Sequence, residues 1–293
     1  MTARERLREA YVDYVVCVDV KDTIRACHRP ARSGFLFGGS TGTVVSGAMT
    51  WLEMYQGYVR PDASYSAVTM VEAGTTLGRV LPSYVETEER FGEPPGGPLL
   101  PGEENAVAGA VAARRREYAT VRCCARACLE RLGYGPVALP PGVGGAPVWP
   151  VGVRGSMTHC AGYAAAAVAP ADRVAALGID AEPDAPLPEG VLDLVSTRAE
   201  RGRLSPLATP DGPSWDRLLF SAKEAVYKAW FPLVGEWLDH HEVEILFAER
   251  DDAFTAVLAR GELVVGGRRV TSLQGRWTRA RGILVTAVAL VPG

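Results

Sequence analysis

Apolar residues recur along the chain with two different periods. From Tyr118 to Leu132 they fall three and four residues apart, which predicts a helix over 104–132, closed by Gly133. A second run of this kind predicts a helix over 214–230, with Ser214 as a candidate N-cap. Beyond this helix, apolar and polar residues alternate between turn residues, which predicts strands over 243–247, 254–259, 262–265, 268–277 and 282–291. Antiparallel strands with separate helices predict an α+β fold.

A short acidic motif, Gly178-Ile179-Asp180-Ala181-Glu182-Pro183, follows an apolar run that predicts a buried strand. Residues two apart on a strand point to the same face, so Asp180 and Glu182 should project side by side. Two adjacent carboxylates repel each other unless a proton or a cation lies between them. A hard cation with oxygen ligands, such as Mg²⁺, fits this pair best. The alternative is a strand end at which both acids are simply solvated.

The predicted helix over 214–230 carries Ser221, Glu224 and Lys228 away from its apolar stripe, with Lys223 beside them. Glu224 precedes Lys228 by four residues, the favourable order for an exposed ion pair, so an ordinary solvated face explains them. A third carboxylate beside two lysines is also what holds a metal and a phosphate together.

Two further groups lie upstream. His159 stands in a predicted polar strand with Ser156 and Thr158 nearby, and a lone histidine is more often a structural hydrogen-bonding residue than a ligand or base. The long first helix carries a set of arginines, which are Arg114, Arg115, Arg116, Arg122 and Arg126. Such a set serves either solubility or the binding of a phosphate through the planar guanidinium donors.

Composition narrows the class of protein. The chain has 293 residues, 47% of them apolar, and a net charge of −3, which argues against nucleic acid as a bulk partner. No apolar run reaches membrane-spanning length, and the charged N-terminus lacks a signal-peptide apolar region, so we expect a cytoplasmic protein with no membrane association. The six cysteines lack zinc-type spacing, and we expect them to be small buried apolar residues.

Three stretches, in this order, resemble the Sfp-type 4′-phosphopantetheinyl transferases, in particular the short actinobacterial enzymes. They are Ser156-Met157-Thr158-His159, Gly178 to Glu182, and the helix segment Phe220-Ser221-Ala222-Lys223-Glu224-Ala225-Val226-Tyr227-Lys228. The resemblance spans about residues 70–290. It implies two similar subdomains around a pseudo-twofold axis, each an antiparallel sheet packed with helices.

The resemblance also implies roles for single residues. Asp180, Glu182 and Glu224 would bind Mg²⁺, while Glu224 as general base and Lys228 would be catalytic. Six residues from both halves would hold coenzyme A. They are Arg114, Arg122, Ser156, Thr158, His159 and Lys223. The family usually has a lysine where this chain has Gly144, and the backbone N–H groups of Gly144 and Gly145 are expected to replace it in part.

The implied reaction is holo-[acyl-carrier-protein] synthesis. The phosphopantetheine arm of coenzyme A would pass to a serine of apo acyl carrier or peptidyl carrier proteins, and 3′,5′-ADP would be released. The carriers would belong to polyketide, fatty-acid or nonribosomal peptide synthases, and the enzyme would be a monomer. Two alternatives remain at this point: a non-catalytic coenzyme A or nucleotide-binding module, and another Mg²⁺-dependent phosphotransferase or pyrophosphate hydrolase.

The resemblance predicts where the chain divides. Residues 70–179 would form the N-terminal half of the transferase and residues 180–293 its C-terminal half. The resemblance does not cover residues 1–69, which contain a Gly/Ser/Thr-rich stretch at 34–47. We therefore expect an N-terminal extension of unknown role that contains a flexible linker.

Overall fold

A computed structural model describes residues 75–248, 251–259 and 263–292. The chain divides into two units, Met1–Met70 and Val71–Gly293, and every described residue belongs to the second. The predicted extension 1–69, with Cys17 and Cys27, lies outside the described residues. Within the described ranges, no helix has the length and apolar character needed to cross a bilayer.

The N-terminal half combines one sheet with one long helix. Its elements are β1 (Glu86–Phe91), α1 (Ala112–Arg131), β2 (Val153–Cys160) and β3 (Tyr163–Pro170). The strands pair in the order β1-β3-β2, and both pairings are antiparallel. The side chains of β3 alternate between the two faces of the sheet, and both faces are buried. Ala164, Ala166 and Val168 pack with α1, whereas the alanines between them pack against the other sheet.

The C-terminal half is larger. Its elements are β4 (Ala176–Pro183), α2 (Val191–Val195), α3 (Arg198–Leu204), α4 (Trp215–Val234), β5 (Val243–Phe247), β6 (Ala253–Leu258), β7 (Leu263–Val265), β8 (Arg268–Val270), β9 (Ser272–Ala280) and β10 (Ile283–Leu290). Five strands form an antiparallel sheet in the order β4-β10-β9-β6-β5, and β7 with β8 forms a separate two-stranded ribbon. The two antiparallel sheets with packed helices confirm the predicted α+β fold.

The alternation of β4 decides which residues meet α4. Leu177, Ile179 and Ala181 join the core that β3 shares with β10, so their neighbours Gly178, Asp180 and Glu182 project to the opposite face, against α4. The resulting layers are α1, the first sheet, the second sheet and α4. The acidic pair therefore lies inside the molecule, and Asp180 is only 3% exposed, so the solvated strand end considered above is wrong.

Several predicted boundaries need correction. The first helix does not start at 104: a 3₁₀ turn covers Glu104–Val107, and α1 begins at Ala112, after the poor helix former Gly109. Helix α4 continues past Trp230 to Val234, through Pro232, and ends at Gly235 in the left-handed conformation. The strand predicted over 268–277 is divided at Thr271, where the chain changes partner from β7 to β6.

Candidate active site

Asp180 is held by two side chains of α4. Its Oδ1 accepts a hydrogen bond from Lys228 Nζ at 2.7 Å, and its Oδ2 accepts one from Ser221 Oγ at 2.8 Å. Ser221 and Lys228 lie two helical turns apart on one side of α4, and Glu224 lies between them on the same side. Glu224 is 1% exposed, so this side of the helix is not a solvated face. The structure thus brings Asp180 of β4 against Ser221 and Lys228 of α4.

Glu182 is paired with an arginine that the sequence analysis did not assign to the site. Arg217 Nη1 donates to Glu182 Oε2 at 3.0 Å, and the rest of its guanidinium donates to the carbonyl oxygens of Ala185 and Pro186. Burial, together with the charge of Asp180, nevertheless raises the pKa of Glu182 to about 7. The charge of Asp180 adds to the effect of burial, and an added cation between the two carboxylates would relieve this repulsion.

Ser156 and Thr158 connect the two sheets. Ser156 Oγ accepts the N–H of Ile179 at 3.0 Å, and Thr158 Oγ1 accepts the N–H of Ala181 at 3.1 Å. Both side chains are buried, and they satisfy main-chain donors on either side of Asp180 at the edge of the five-stranded sheet. Thr158 Oγ1 also donates to Asp180 Oδ1 at 3.4 Å, so these contacts fix both β4 and the carboxylate of Asp180.

His159 and Arg114 form a direct pair across the N-terminal half. Arg114 Nη1 lies 2.7 Å from His159 Nε2. Since a guanidinium only donates, Nε2 accepts and the ring proton is on Nδ1. Arg114 also lies 3.7 Å from Glu117 Oε2 and is 5% exposed. The structure thus brings Arg114 and His159, both predicted to bind coenzyme A, into direct contact.

Arg122 and Lys223 are placed elsewhere. Arg122 is buried, with its guanidinium 3.2 Å from the ring centre of Tyr118, and its Nε donates to the carbonyl oxygen of Leu139. Lys223 is 1% exposed, and its Nζ donates to Glu200 at 2.9 Å rather than lying beside Lys228. These contacts hold elements together, so the structure does not bring either residue to the acidic pair.

The backbone conformation and the surroundings of Gly144 disfavour a lysine at this position. Gly144 has φ +57°, and a Cβ atom at this position would overlap the ring of Phe231. A lysine would therefore be strained and would displace an aromatic side chain of α4. The N–H of Gly145 already donates to the carbonyl oxygen of Gly142, so it is not a spare phosphate donor.

Two residues of the site, Arg217 and His240, were not predicted, and Ser221 was predicted on the correct side of the helix but was given no role. Arg217 and Ser221 stand seven and three residues before Glu224, which puts both on its side of α4, so helical spacing alone identifies them. His240, whose Nε2 lies 3.2 Å from Glu224 Oε1, lies in the 3₁₀ turn His240–Glu242, where no periodic pattern marks it. Within the described residues, no three His, Cys, Asp or Glu side chains are grouped as a ready metal site.

Comparison with known proteins agrees with this arrangement. Residues 102–169 match a family model described as the 4′-phosphopantetheinyl transferase N-terminal domain. Residues 176–264 match the model of the 4′-phosphopantetheinyl transferase superfamily. The chain belongs to this superfamily. The first match ends in β3 and the second begins with β4, so the boundary between them lies where the chain passes from the first sheet to the second.

Curated members of the superfamily are similar over most of their length. The chain is 52% identical over 219 residues to 4′-phosphopantetheinyl transferase Svp of Streptomyces mobaraensis, which is 73% of this chain and 89% of Svp. It is 44% identical over 225 residues to the transferase PptT of Mycobacterium tuberculosis, which is 74% of this chain and 99% of PptT. The corresponding values for Npt of Nocardia iowensis are 45% over 218 residues, 72% and 97%. These relatives give no support to the two alternative functions.

Proposed function

We propose that this transferase moves the phosphopantetheine arm of coenzyme A onto a serine of apo acyl carrier or peptidyl carrier proteins, with Mg²⁺. The observation that carries the proposal is the pairing of the buried Asp180 on β4 with Lys228 and Ser221 on α4, with Glu182 two residues further along the same strand face. Buried acids beside a lysine suit phosphoryl chemistry, in which charge must be balanced around a pyrophosphate. The carriers belong to polyketide, fatty-acid or nonribosomal peptide synthases.

The two carboxylates of β4 are oxygen ligands of the kind that Mg²⁺ prefers. Burial raises the pKa of Glu182, and the neighbouring charge of Asp180 raises it further, so a cation bound between them would be stabilised. Asp180 and Glu182 would hold the ion, and Glu224 is proposed as its third ligand, although these three side chains are not grouped as a ready site in the described part of the chain. When bound, Mg²⁺ would neutralise charge on the pyrophosphate of coenzyme A. In the structure, Lys228 and Arg217 balance the charge of Asp180 and Glu182.

The remaining roles follow from position. Arg114 and His159 bind a phosphate of coenzyme A, since a buried guanidinium with several N–H donors suits a phosphate monoester. Ser156 and Thr158 keep β4 in place behind the acids. Lys228 stabilises the phosphoryl oxygens. Arg122 and Lys223 support these groups through the buried contacts described above.

The chemical step is a transfer between two oxygen atoms. The carrier serine Oγ attacks the β-phosphorus of coenzyme A, a new P–O bond forms, and the P–O bond to 3′,5′-ADP breaks. The serine proton passes to the carboxylate of Glu224 as general base. Burial of Glu224 keeps bulk water from competing for that carboxylate.

The test is to incubate the protein with coenzyme A, Mg²⁺ and a panel of apo carrier proteins, and then to weigh the carriers by mass spectrometry. We expect one phosphopantetheine per carrier, and none on carriers whose acceptor serine is replaced by alanine. If no carrier gains mass, while another transferase modifies the same samples, the proposed reaction is wrong.

A further inference from the structure

We infer that His240 is a positioning residue, which holds the carboxylate of Glu224 in the direction that the transfer requires. The inference rests on the proposed role of Glu224. Glu224 leaves α4 with three rotatable side-chain bonds, and a general base or metal ligand works only within a narrow range of positions. The Nε2 of His240 lies 3.2 Å from Glu224 Oε1, and so it fixes one of the two oxygens.

His240 is itself held in place from two sides. Its ring stacks on Phe220, with the ring centres 6.0 Å apart and the planes 23° from parallel. Its carbonyl oxygen accepts a hydrogen bond of 2.6 Å from Lys223 Nζ. Both the side chain and the main chain of His240 are therefore fixed relative to α4, which carries Phe220, Lys223 and Glu224.

Lys223 is anchored in turn by Glu200 of α3. Both side chains are fully buried, and Glu200 also accepts the N–H of Ile245 in β5 through its other oxygen. A capping box at Thr197 uses the same carboxylate and fixes the start of α3. Charged groups cost free energy when they are buried, so a fully satisfied pair of this kind defines geometry more than it adds stability.

The contacts form one continuous path from Glu200 through Lys223 and His240 to Glu224. The path explains why Lys223 lies away from Lys228 although both stand on α4. It also gives His240 a role that packing alone does not require, because the imidazole reaches Glu224 with a hydrogen-bonding atom. The positioning role therefore belongs to Nε2 of His240 and not to the volume of its ring.

Two substitutions separate the hydrogen bond from the packing. His240→Phe keeps a ring on Phe220 but removes the hydrogen bond to Glu224, whereas His240→Gln places an amide N–H at a similar reach. We expect His240→Phe to lower kcat at least fivefold with a change below twofold in KM for coenzyme A. We expect His240→Gln to stay within twofold of the unsubstituted protein in both constants. His241→Gln, at the half-exposed neighbouring histidine, is the matched control and should have no effect.

A second readout does not depend on turnover. Titration of the substrate-free protein with Mn²⁺ as a probe, followed by electron paramagnetic resonance, should show at least threefold weaker binding for His240→Phe and unchanged binding for His240→Gln. Thermal unfolding of each variant verifies that it is folded. Loss of activity with unchanged Mn²⁺ binding and a raised KM for coenzyme A would contradict the inference.

Glu224→Gln, measured in parallel, distinguishes a failure of the proposed role of Glu224 from a failure of the positioning role of His240. If Glu224→Gln keeps full activity, the proposed role of Glu224 is wrong, whatever His240 does. If Glu224→Gln is inactive while His240→Phe retains normal kcat and Mn²⁺ binding, the positioning role is wrong and the function stands. Equal impairment by His240→Phe and His240→Gln would also overturn it, because a hydrogen bond would then not be the cause.

Discussion

Single side chains in this site are placed by partners on a different element. Each oxygen of Asp180 on β4 accepts a hydrogen bond from α4, through Lys228 or Ser221. Ser221 is oriented in turn by Thr286 of β10, which faces Asp180 across the strand pair. A hydrogen bond to a charged group contributes about 1.5–3 kcal/mol, so the position of Asp180 is strongly fixed.

The Arg114–His159 pair is proposed to bind coenzyme A, so a substitution in this pair should weaken coenzyme A binding. His159→Ala removes the acceptor that orients the Arg114 guanidinium. We expect KM for coenzyme A to rise about tenfold, equivalent to about 1.4 kcal/mol, with kcat changed less. Steady-state kinetics at saturating carrier protein measures this. Arg115→Ala, an exposed arginine one residue beyond Arg114, is the control and should leave KM unchanged.

Glu182 predicts how stability changes with pH. Its pKa in the folded protein is about 7, above the ordinary 4.5, so the folded state binds more protons than the unfolded state between these values. The contribution of Glu182 to the free energy of unfolding therefore falls as pH rises from about 4.5 to about 7. Glu182→Gln removes this titration, so the stability of the unsubstituted protein relative to the variant should fall over that range in metal-free urea unfolding. A difference that stays constant or grows with pH contradicts the assignment.

Among the elements, the contact between β4 and α4 brings Asp180 to Lys228. Gly178 stands at the point of closest approach, where a Cβ atom would overlap the carbonyl oxygen of Ala225. The absence of a side chain at this position allows the strand to lie directly on the helix. The spacing between Asp180 and Lys228 depends on that close packing.

Gly178→Ala should therefore destabilise the protein by about 1–3 kcal/mol, since the new methyl group meets backbone that cannot move easily. Gly202→Ala in α3 is the control, because open space surrounds that position and alanine favours a helix. Urea unfolding should show a lower midpoint for the first variant and an equal or higher one for the second. Similar midpoints for both would mean that the helix does not rest on Gly178.

The sequence pattern predicted the elements better than their contacts. The alternation after α4 predicted β5 with its observed ends, and the motif around Asp180 predicted a strand that is present. Lys223 was placed beside Lys228 because spacing shows only that both lie near one side of a helix. Its actual partner, Glu200, is 23 residues away along the chain, and no local period reveals such a pair.

At the scale of the whole molecule, the two halves share one core. The alanines of β3 pack with β4 and β10 on one face, and α1 covers the other face. Ser156 and Thr158 extend this contact with hydrogen bonds to the edge of β4. The acidic pair and the Arg114–His159 pair are thereby carried by elements that pack against each other.

Every residue assigned to the chemistry lies beyond Met70, and all three curated relatives match about three quarters of the chain or slightly less. We therefore expect a chain that starts at Met70 to keep the turnover of the full chain within about threefold. Circular dichroism must first show that both proteins are folded. A folded truncated protein whose turnover is reduced a hundredfold, about 2.7 kcal/mol of barrier, would mean that residues 1–69 complete the active site.

We propose that the acids of β4 and α4 perform a metal-dependent transfer. The most direct measurement is the initial rate of carrier modification as Mg²⁺ is added back after chelation, for the unsubstituted protein, for Asp180→Asn and for Glu130→Gln, an exposed carboxylate on α1. We predict no rate without metal, full recovery for the unsubstituted protein and Glu130→Gln, and at least a hundredfold lower rate for Asp180→Asn. Turnover that persists without divalent metal, or that Asp180→Asn retains, would mean that these acids do not perform a metal-dependent transfer.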